Sequence, residues 1–190
     1  AGKIDKPQIN KLKLDLKGIY YIARIIKAAK KGDAAILKEL IKILLENKIK
    51  VISSISFNPE LTLKKGIYSK IKPNKDDALY IKKGIKILKK TGSYDHVQAV
   101  IVRKNDIIKE TRSGTRNLIK SIKKNRSQNG VLIKFPKTKQ DLRVDLPTIG
   151  INTFKDIKSK NLKGIVVKGN QNIILDLSLI HIWRCRRQAV

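Results

Sequence analysis

Apolar residues recur at helical spacing through the first fifty positions of the chain. Ile19, Ile22, Ala23, Ile25 and Ile26 line up between Gly18 and Lys31, and Gly32 interrupts the stripe, which predicts a helix ending there. Asp33 suits the cap of a second helix. In it Leu37, Leu40, Ile41, Leu44 and Leu45 follow the spacing of a buried face, and Asn47 marks the exit. Ile49-Lys50-Val51-Ile52 has the apolar character of a strand, so this portion reads as helix then strand in an open α/β layer.

Turn formers from Asn58-Pro59 to Pro73-Asn74 predict a connecting segment. Asp76 and Asp77 then start a helix whose apolar positions are Ala78, Ile81, Ile85 and Leu88. Val97 to Val102 and Ile107 to Glu110 flank a polar four-residue turn, as the two arms of a hairpin do. Thr115 to Ile122 predicts a short helix, Val131 to Phe135 a strand, Val144 to Ile149 an extended stretch and Thr153 to Lys160 a helix. Gly164 to Val167 and Ile173 to Leu175 read as a second hairpin around Gly169-Asn170. The expected class is therefore α/β, its second part α+β, with no repeat of solenoid period.

Composition narrows the function classes. A chain of 190 residues with 41% apolar content builds a real core. It has no long uninterrupted apolar run and no secretory leader, so the expected location is the cytoplasm. One cysteine, Cys185, and two histidines, His96 and His181, supply neither a disulfide nor a structural zinc site. The net charge of +29 raises nucleic acid as a partner. The basic residues are mostly Lys, though, scattered among abundant Ile and Asn, and the few aromatics do not interleave with them as a single-strand platform requires. Solvated Lys faces with some attraction to an anionic membrane leaflet are expected, and no specific nucleic acid.

Phosphate-binding loops of the G-x-x-x-x-G-K-[ST] and G-x-G-x-x-G types are absent, and His96, beside Asp95, reads as a cap or surface residue rather than part of a catalytic triad. The densest polar stretch runs from Lys134 to Gly150. Asp141 and Asp145 stand four apart. If the chain bends between them, both face one pocket and hold a hard cation such as Mg²⁺, while Lys134, Lys137 and Arg143 meet a pyrophosphate. The same residues also suit plain turn and cap positions, and residue chemistry alone leaves both readings open.

Gln140-Asp141-Leu142-Arg143-Val144-Asp145-Leu146-Pro147-Thr148-Ile149-Gly150, preceded by Val131-Leu132-Ile133-Lys134 and Lys137, resembles the C-terminal signature of the LpxI family of UDP-2,3-diacylglucosamine pyrophosphatases. Ala1-Gly2-Lys3, Gly32-Asp33 followed by Leu40 and Val51, Val97 to Val102, and Asn161 to Val167 agree with it in order and spacing. The resemblance implies a remnant of a Rossmann-like domain over residues 1–58 and a catalytic α+β domain over 59–176. The activity it implies is metal-assisted hydrolysis of UDP-2,3-diacylglucosamine at the inner membrane surface. Asp141 and Asp145 would be catalytic and hold Mg²⁺. Lys134, Lys137, Gln140, Arg143, Gln98 and Thr115 would bind substrate. Two departures weaken the implied activity. Gly114-Thr115-Arg116 puts a cation where the family has Asp, and Thr138-Lys139 replaces a Pro-Gly pair. The stretch from Leu177 onward holds the one Trp, the one Cys and a cluster of Arg, resembles translated sequencing adapter, and is read as a non-native tail over 177–190.

Overall fold

The structure, a computed structural model, describes residues 13–69, 71–91, 97–104, 106–124, 129–138 and 140–175. Asp95, His96, Ala1-Gly2-Lys3 and the 177–190 tail lie outside the described residues. The chain divides into two compact units, Ala1–Val51 and Ile52–Val190.

In the first unit, Asp15 caps α1 (Leu16–Ala29) by accepting the Gly18 N–H at 2.7 Å. Gly32, at φ 109°, supplies the backbone angle that separates it from α2 (Asp33–Glu46). Gly32 is itself the N-cap and offers no side chain, so Asp33 is the first helical residue and not the cap. The expected core stripe of α2 is also narrower than its spacing suggested. Ile41 is buried, but Leu40, Leu44 and Leu45 are 38%, 37% and 50% exposed, since among the described residues of this unit α2 packs mainly on α1. Arg24 joins the pair through Glu39 at 2.7 Å and Glu46 at 2.5 Å. The strand expected at Ile49 to Ile52 does not form. Lys48 at φ 61° and the Ile49 N–H on the Leu44 carbonyl close the helix, and residues 49–53 are irregular, with no neighbouring strand among the described residues.

The second unit is a three-layer sandwich. Its four-stranded sheet has the order β2-β1-β3-β5, from β1 (Ala99–Arg103), β2 (Asp106–Lys109), β3 (Gly130–Lys134) and β5 (Gly164–Val167). The β1–β2 hairpin is as predicted, β1 is also antiparallel to β3, and β3 is parallel to β5. Every residue of β1 and β3 is buried, as Val/Ile runs covered on both faces must be. The period-two alternation then assigns the faces. Val100, Val102, Val131 and Ile133 pack with Ile81, Ile85 and Leu88 of α3 (Lys75–Lys90). Ala99, Ile101 and Leu132 pack with Leu118 and Ile119 of α4 (Gly114–Ser121) and Ile157 of α5 (Ile151–Ser159). Asn74 and Asp77 form a reciprocal capping box that starts α3. Arg103, buried, donates to the Lys123 and Lys160 carbonyls at 2.8 and 2.9 Å and so ties the exits of α4 and α5 to the sheet.

The hairpin expected from Gly164 to Leu175 is corrected. β5 joins the main sheet beside β3, whereas β6 (Ile173–Ile174) pairs in parallel with β4 (Thr148–Ile149) in a separate two-stranded sheet. Asn170, at φ 55°, makes the predicted turn, but the Lys168 N–H on Asn172 Oδ1 directs the chain off the main sheet. Of the extended stretch expected from Val144 to Ile149, only β4 is strand. Residues 142–144 are turn, because the Asp141 carbonyl accepts from both Val144 and Asp145.

Candidate functional site

One end of the main sheet gathers the polar side chains. Since β1 is antiparallel to both neighbours, its start lies beside the ends of β2 and β3, with Val100 opposite Lys109 and Ala99 opposite Lys134. The parallel strands β3 and β5 direct their carboxyl ends the same way, Lys134 beside Val167. In open α/β sheets that is the end where ligands bind. Gln98, Glu110 and Lys134 therefore share one rim by topology alone.

Glu110 organises this rim. It is 3% exposed, its Oε2 accepts the Gln98 backbone N–H at 2.9 Å, and its Oε1 accepts the Thr115 hydroxyl at 2.6 Å. Lys134, 8% exposed, donates from Nζ to the Thr148 carbonyl at 3.2 Å. Burial pushes the Lys134 ammonium below the ordinary lysine range, and the charge of Glu110 partly opposes that shift. Asn172, wholly buried, donates from Nδ2 to the Lys134 carbonyl at 3.3 Å, which ties the β5–β6 turn to the same strand end. Three residues expected in the site, Gln98, Thr115 and Lys134, thus lie around Glu110, which the family resemblance marked only as the Glu preceding Gly114-Thr115, and Asn172, which sequence reasoning left out. The available signal for Glu110 was a carboxylate directly after the apolar Ile107-Ile108 strand, five residues before a threonine at a helix start. Asn172 gave none, since an Asn in a Gly-Asn-Gln-Asn run reads as ordinary turn chemistry.

The loop after β3 carries the rest. Lys137 N–H donates to Gln140 Oε1 at 2.9 Å and Gln140 N–H returns to the Lys137 carbonyl at 3.1 Å, which fixes a tight turn. Asp145 N–H then reaches the Asp141 carbonyl at 2.9 Å, which closes a turn between the two aspartates. Arg143 folds back on Asp141, its Nη2 2.7 Å from Oδ2 and its Nε 3.0 Å from Oδ1. That pairing raises the guanidinium further above its ordinary value. The Leu142 carbonyl accepts from Ser53 at 3.3 Å, which pins the loop to the segment preceding α3. Arg116, standing where an acidic residue was expected, is largely exposed and lies 3.6 Å from Asp156 of α5.

As a divalent-cation site, Asp141 and Asp145 supply two carboxylates, and no group of three or more His, Cys, Asp or Glu converges among the described residues. Two carboxylates suffice for Mg²⁺, which keeps several waters and takes its remaining ligands from substrate phosphates. Asp141 and Asp145 are of the residue type that holds Mg²⁺, while in this conformation both Asp141 oxygens accept from Arg143.

These features define a two-unit α/β protein whose polar site lies at the carboxyl end of a mixed sheet, on a loop rich in both signs of charge. The chain belongs to the LpxI family: the LpxI N-terminal domain matches residues 1–61 and the LpxI C-terminal domain residues 64–182. It is similar to the UDP-2,3-diacylglucosamine pyrophosphatase LpxI of Caulobacter vibrioides, with 28% identity over 185 residues. That match covers 93% of this chain and 66% of the relative, so the chain spans just under two thirds of that protein's length. No helix among the described residues is long and apolar enough to cross a membrane.

Proposed function

We propose that this chain carries the hydrolase chemistry named for its relative, cleaving the pyrophosphate of UDP-2,3-diacylglucosamine to UMP and 2,3-diacylglucosamine 1-phosphate, a step of lipid A biosynthesis. The observation behind this reading is the match of both LpxI domains along the chain, joined to a rim where Lys134 and the Asp141–Asp145 turn occupy neighbouring segments. Lys134, Lys137 and Arg143 offset the charge of the two phosphates, an electrostatic role that gains strength where water is excluded. Asp141 and Asp145 orient the attacking water or hold Mg²⁺, which when bound neutralises phosphate oxygens and favours attack. Gln98, Thr115 and Gln140 shape the rim around the diphosphate. The substrate's acyl chains reside in a membrane, and a net charge of +29 draws the chain toward an anionic leaflet.

The test is UMP release from UDP-2,3-diacylglucosamine by the chain beside Asp141→Asn and Asp145→Asn. Each variant is expected to lose about a hundredfold or more in turnover while keeping its thermal transition. Folded variants that both retain full turnover overturn the site.

A further inference from the structure

The segment from Leu61 to Lys75 carries five lysines and no acidic residue, with Glu60 and Asp76 at its borders. Its root is fastened to the scaffold of the rim. Thr62 makes an antiparallel bridge to Ile173 of β6, and the Leu63 carbonyl accepts the Asn170 N–H at 2.8 Å. Leu63 also packs with Ile149 and Ile174, so the segment leaves from the β4–β6 sheet, whose Thr148 carbonyl holds the Lys134 ammonium. Past Leu63 the backbone is irregular up to α3, and burial ends. Lys64, Lys65 and Lys72 are exposed, and between them Ile67 and Ile71 are 58% and 84% exposed and Tyr68 is 43% exposed.

Single exposed apolar side chains need no partner. Three large ones within five positions, set among lysines, make a patch with both features that match an anionic lipid surface. The apolar groups suit the boundary between headgroups and acyl chains, where a tyrosine ring also sits well, and the cations suit the lipid phosphates. A second copy of the chain matches poorly, since lysines would face lysines. Nucleic acid offers the charge but no apolar phase for Ile67 and Ile71. We propose that this loop docks the chain on an anionic bilayer, with Ile67, Tyr68 and Ile71 seated in the headgroup region and Lys64, Lys65 and Lys72 on lipid phosphates. This rests on the hydrolase reading above for the source of the lipid, and adds to it the surface that meets the membrane. A docking loop rooted on β6 sets the rim beside the bilayer from which an acylated substrate is drawn.

The experiment sediments the full chain with vesicles of phosphatidylcholine mixed with phosphatidylglycerol, and with vesicles of phosphatidylcholine alone. The wild-type chain is expected to bind the mixed vesicles and to leave the neutral ones. Ile67→Ser with Ile71→Ser keeps every charge and is expected to weaken binding about tenfold or more at an unchanged thermal transition. Lys64→Gln with Lys65→Gln is expected to lose about fivefold per lysine. Lys120→Gln with Lys124→Gln removes the same charge from exposed positions on and after α4 and is expected to lose less. Equal losses from the two lysine pairs, or full binding by the folded isoleucine double variant, overturn the docking loop. So does a dimer seen by sedimentation velocity without lipid and dissolved by the isoleucine pair, because the loop then seats on a second copy. UMP release keeps the two readings apart: the isoleucine pair is expected to retain turnover on detergent-dispersed substrate and to lose it on substrate in vesicles. A chain that docks through this loop yet releases no UMP from either form supports the docking and overturns the hydrolase reading alone.

Discussion

Lys163 Nζ lies 3.0 Å from Asp77 Oδ1, an ion pair between residues 86 positions apart. The other Asp77 oxygen accepts the Asn74 N–H at 3.1 Å, so one carboxylate both starts α3 and ties it to the segment that enters β5. Asp77→Ala removes half of the capping box as well as the pair. It is expected to cost about 1–2 kcal/mol, mostly from the cap, because Lys163 is more than a third exposed and water screens its share. Lys163→Met is expected to cost under about 1 kcal/mol. Urea unfolding of both variants separates the two contributions.

Gly84 faces the sheet from the middle of α3, where an added Cβ would stand 2.5 Å from Ile133 Cδ1 and 3.2 Å from Val102 Cγ2. Helix propensity favours alanine there by about 1 kcal/mol, but overpacking a filled core costs about 1–3 kcal/mol. Gly84→Ala is expected to be net destabilising, with a lower midpoint in chemical denaturation. A midpoint equal to or above the parent's would mean that α3 can shift away from the sheet at no cost.

Lys134 makes stability depend on pH in a direction opposite to most lysines. Its folded pKa is depressed by burial, so the folded state disfavours the charged form. The penalty is fully present below that depressed value and disappears as pH rises toward the ordinary lysine value of about 10.4. Lys134→Met escapes the penalty at all pH values. The stability difference between Lys134→Met and the parent is therefore expected to shift in favour of the parent between neutral and strongly alkaline pH. Denaturant titrations at both ends check it, and a pH-independent difference would count against a buried charge.

In the first unit, Arg24 holds the carboxylate of Glu46 below its ordinary range through their hydrogen bonds, and its own guanidinium is raised in turn. A depressed carboxylate contributes stability above its unfolded value and loses it as pH falls through the folded one. Arg24→Gln is expected to lower the melting temperature slightly at neutral pH. The difference should start to shrink as pH falls through about 4, vanish only below the depressed Glu46 value, and be screened away in about 1 M salt.

Elements whose order is set by local pattern were legible in the sequence. The β1–β2 hairpin, α3 with its acidic first turn and the Gly32 break all appear within a residue or two of expectation. The misreadings share a cause. Gly164 to Leu175 looked like a hairpin because two apolar runs flank a Gly-Asn turn, and no local rule says that each run has a different partner strand. Leu40, Leu44 and Leu45 have core spacing, but spacing does not reveal what stands opposite. The loop residues from Lys134 to Asp145 were visible as a charged signature. Glu110 was visible only as the Glu preceding Gly114-Thr115 in the family's pattern, and its place on the rim was not, because that depends on how the β1–β2 hairpin and α4 bring Gln98 and Thr115 to it.

The two-residue sheet joining β4 to β6 bears on the order in which the protein matures. Ile173 N–H reaches the Pro147 carbonyl and Leu175 N–H the Ile149 carbonyl, so the far side of the charged loop is fastened by residues translated about 25 positions later. While the ribosome is still adding those residues, the loop after β3 has its amino-acid complement but not its anchor. Those two backbone bonds cannot form before residues 173–175 have been made, so this anchor is the latest-supplied part of the loop's surroundings.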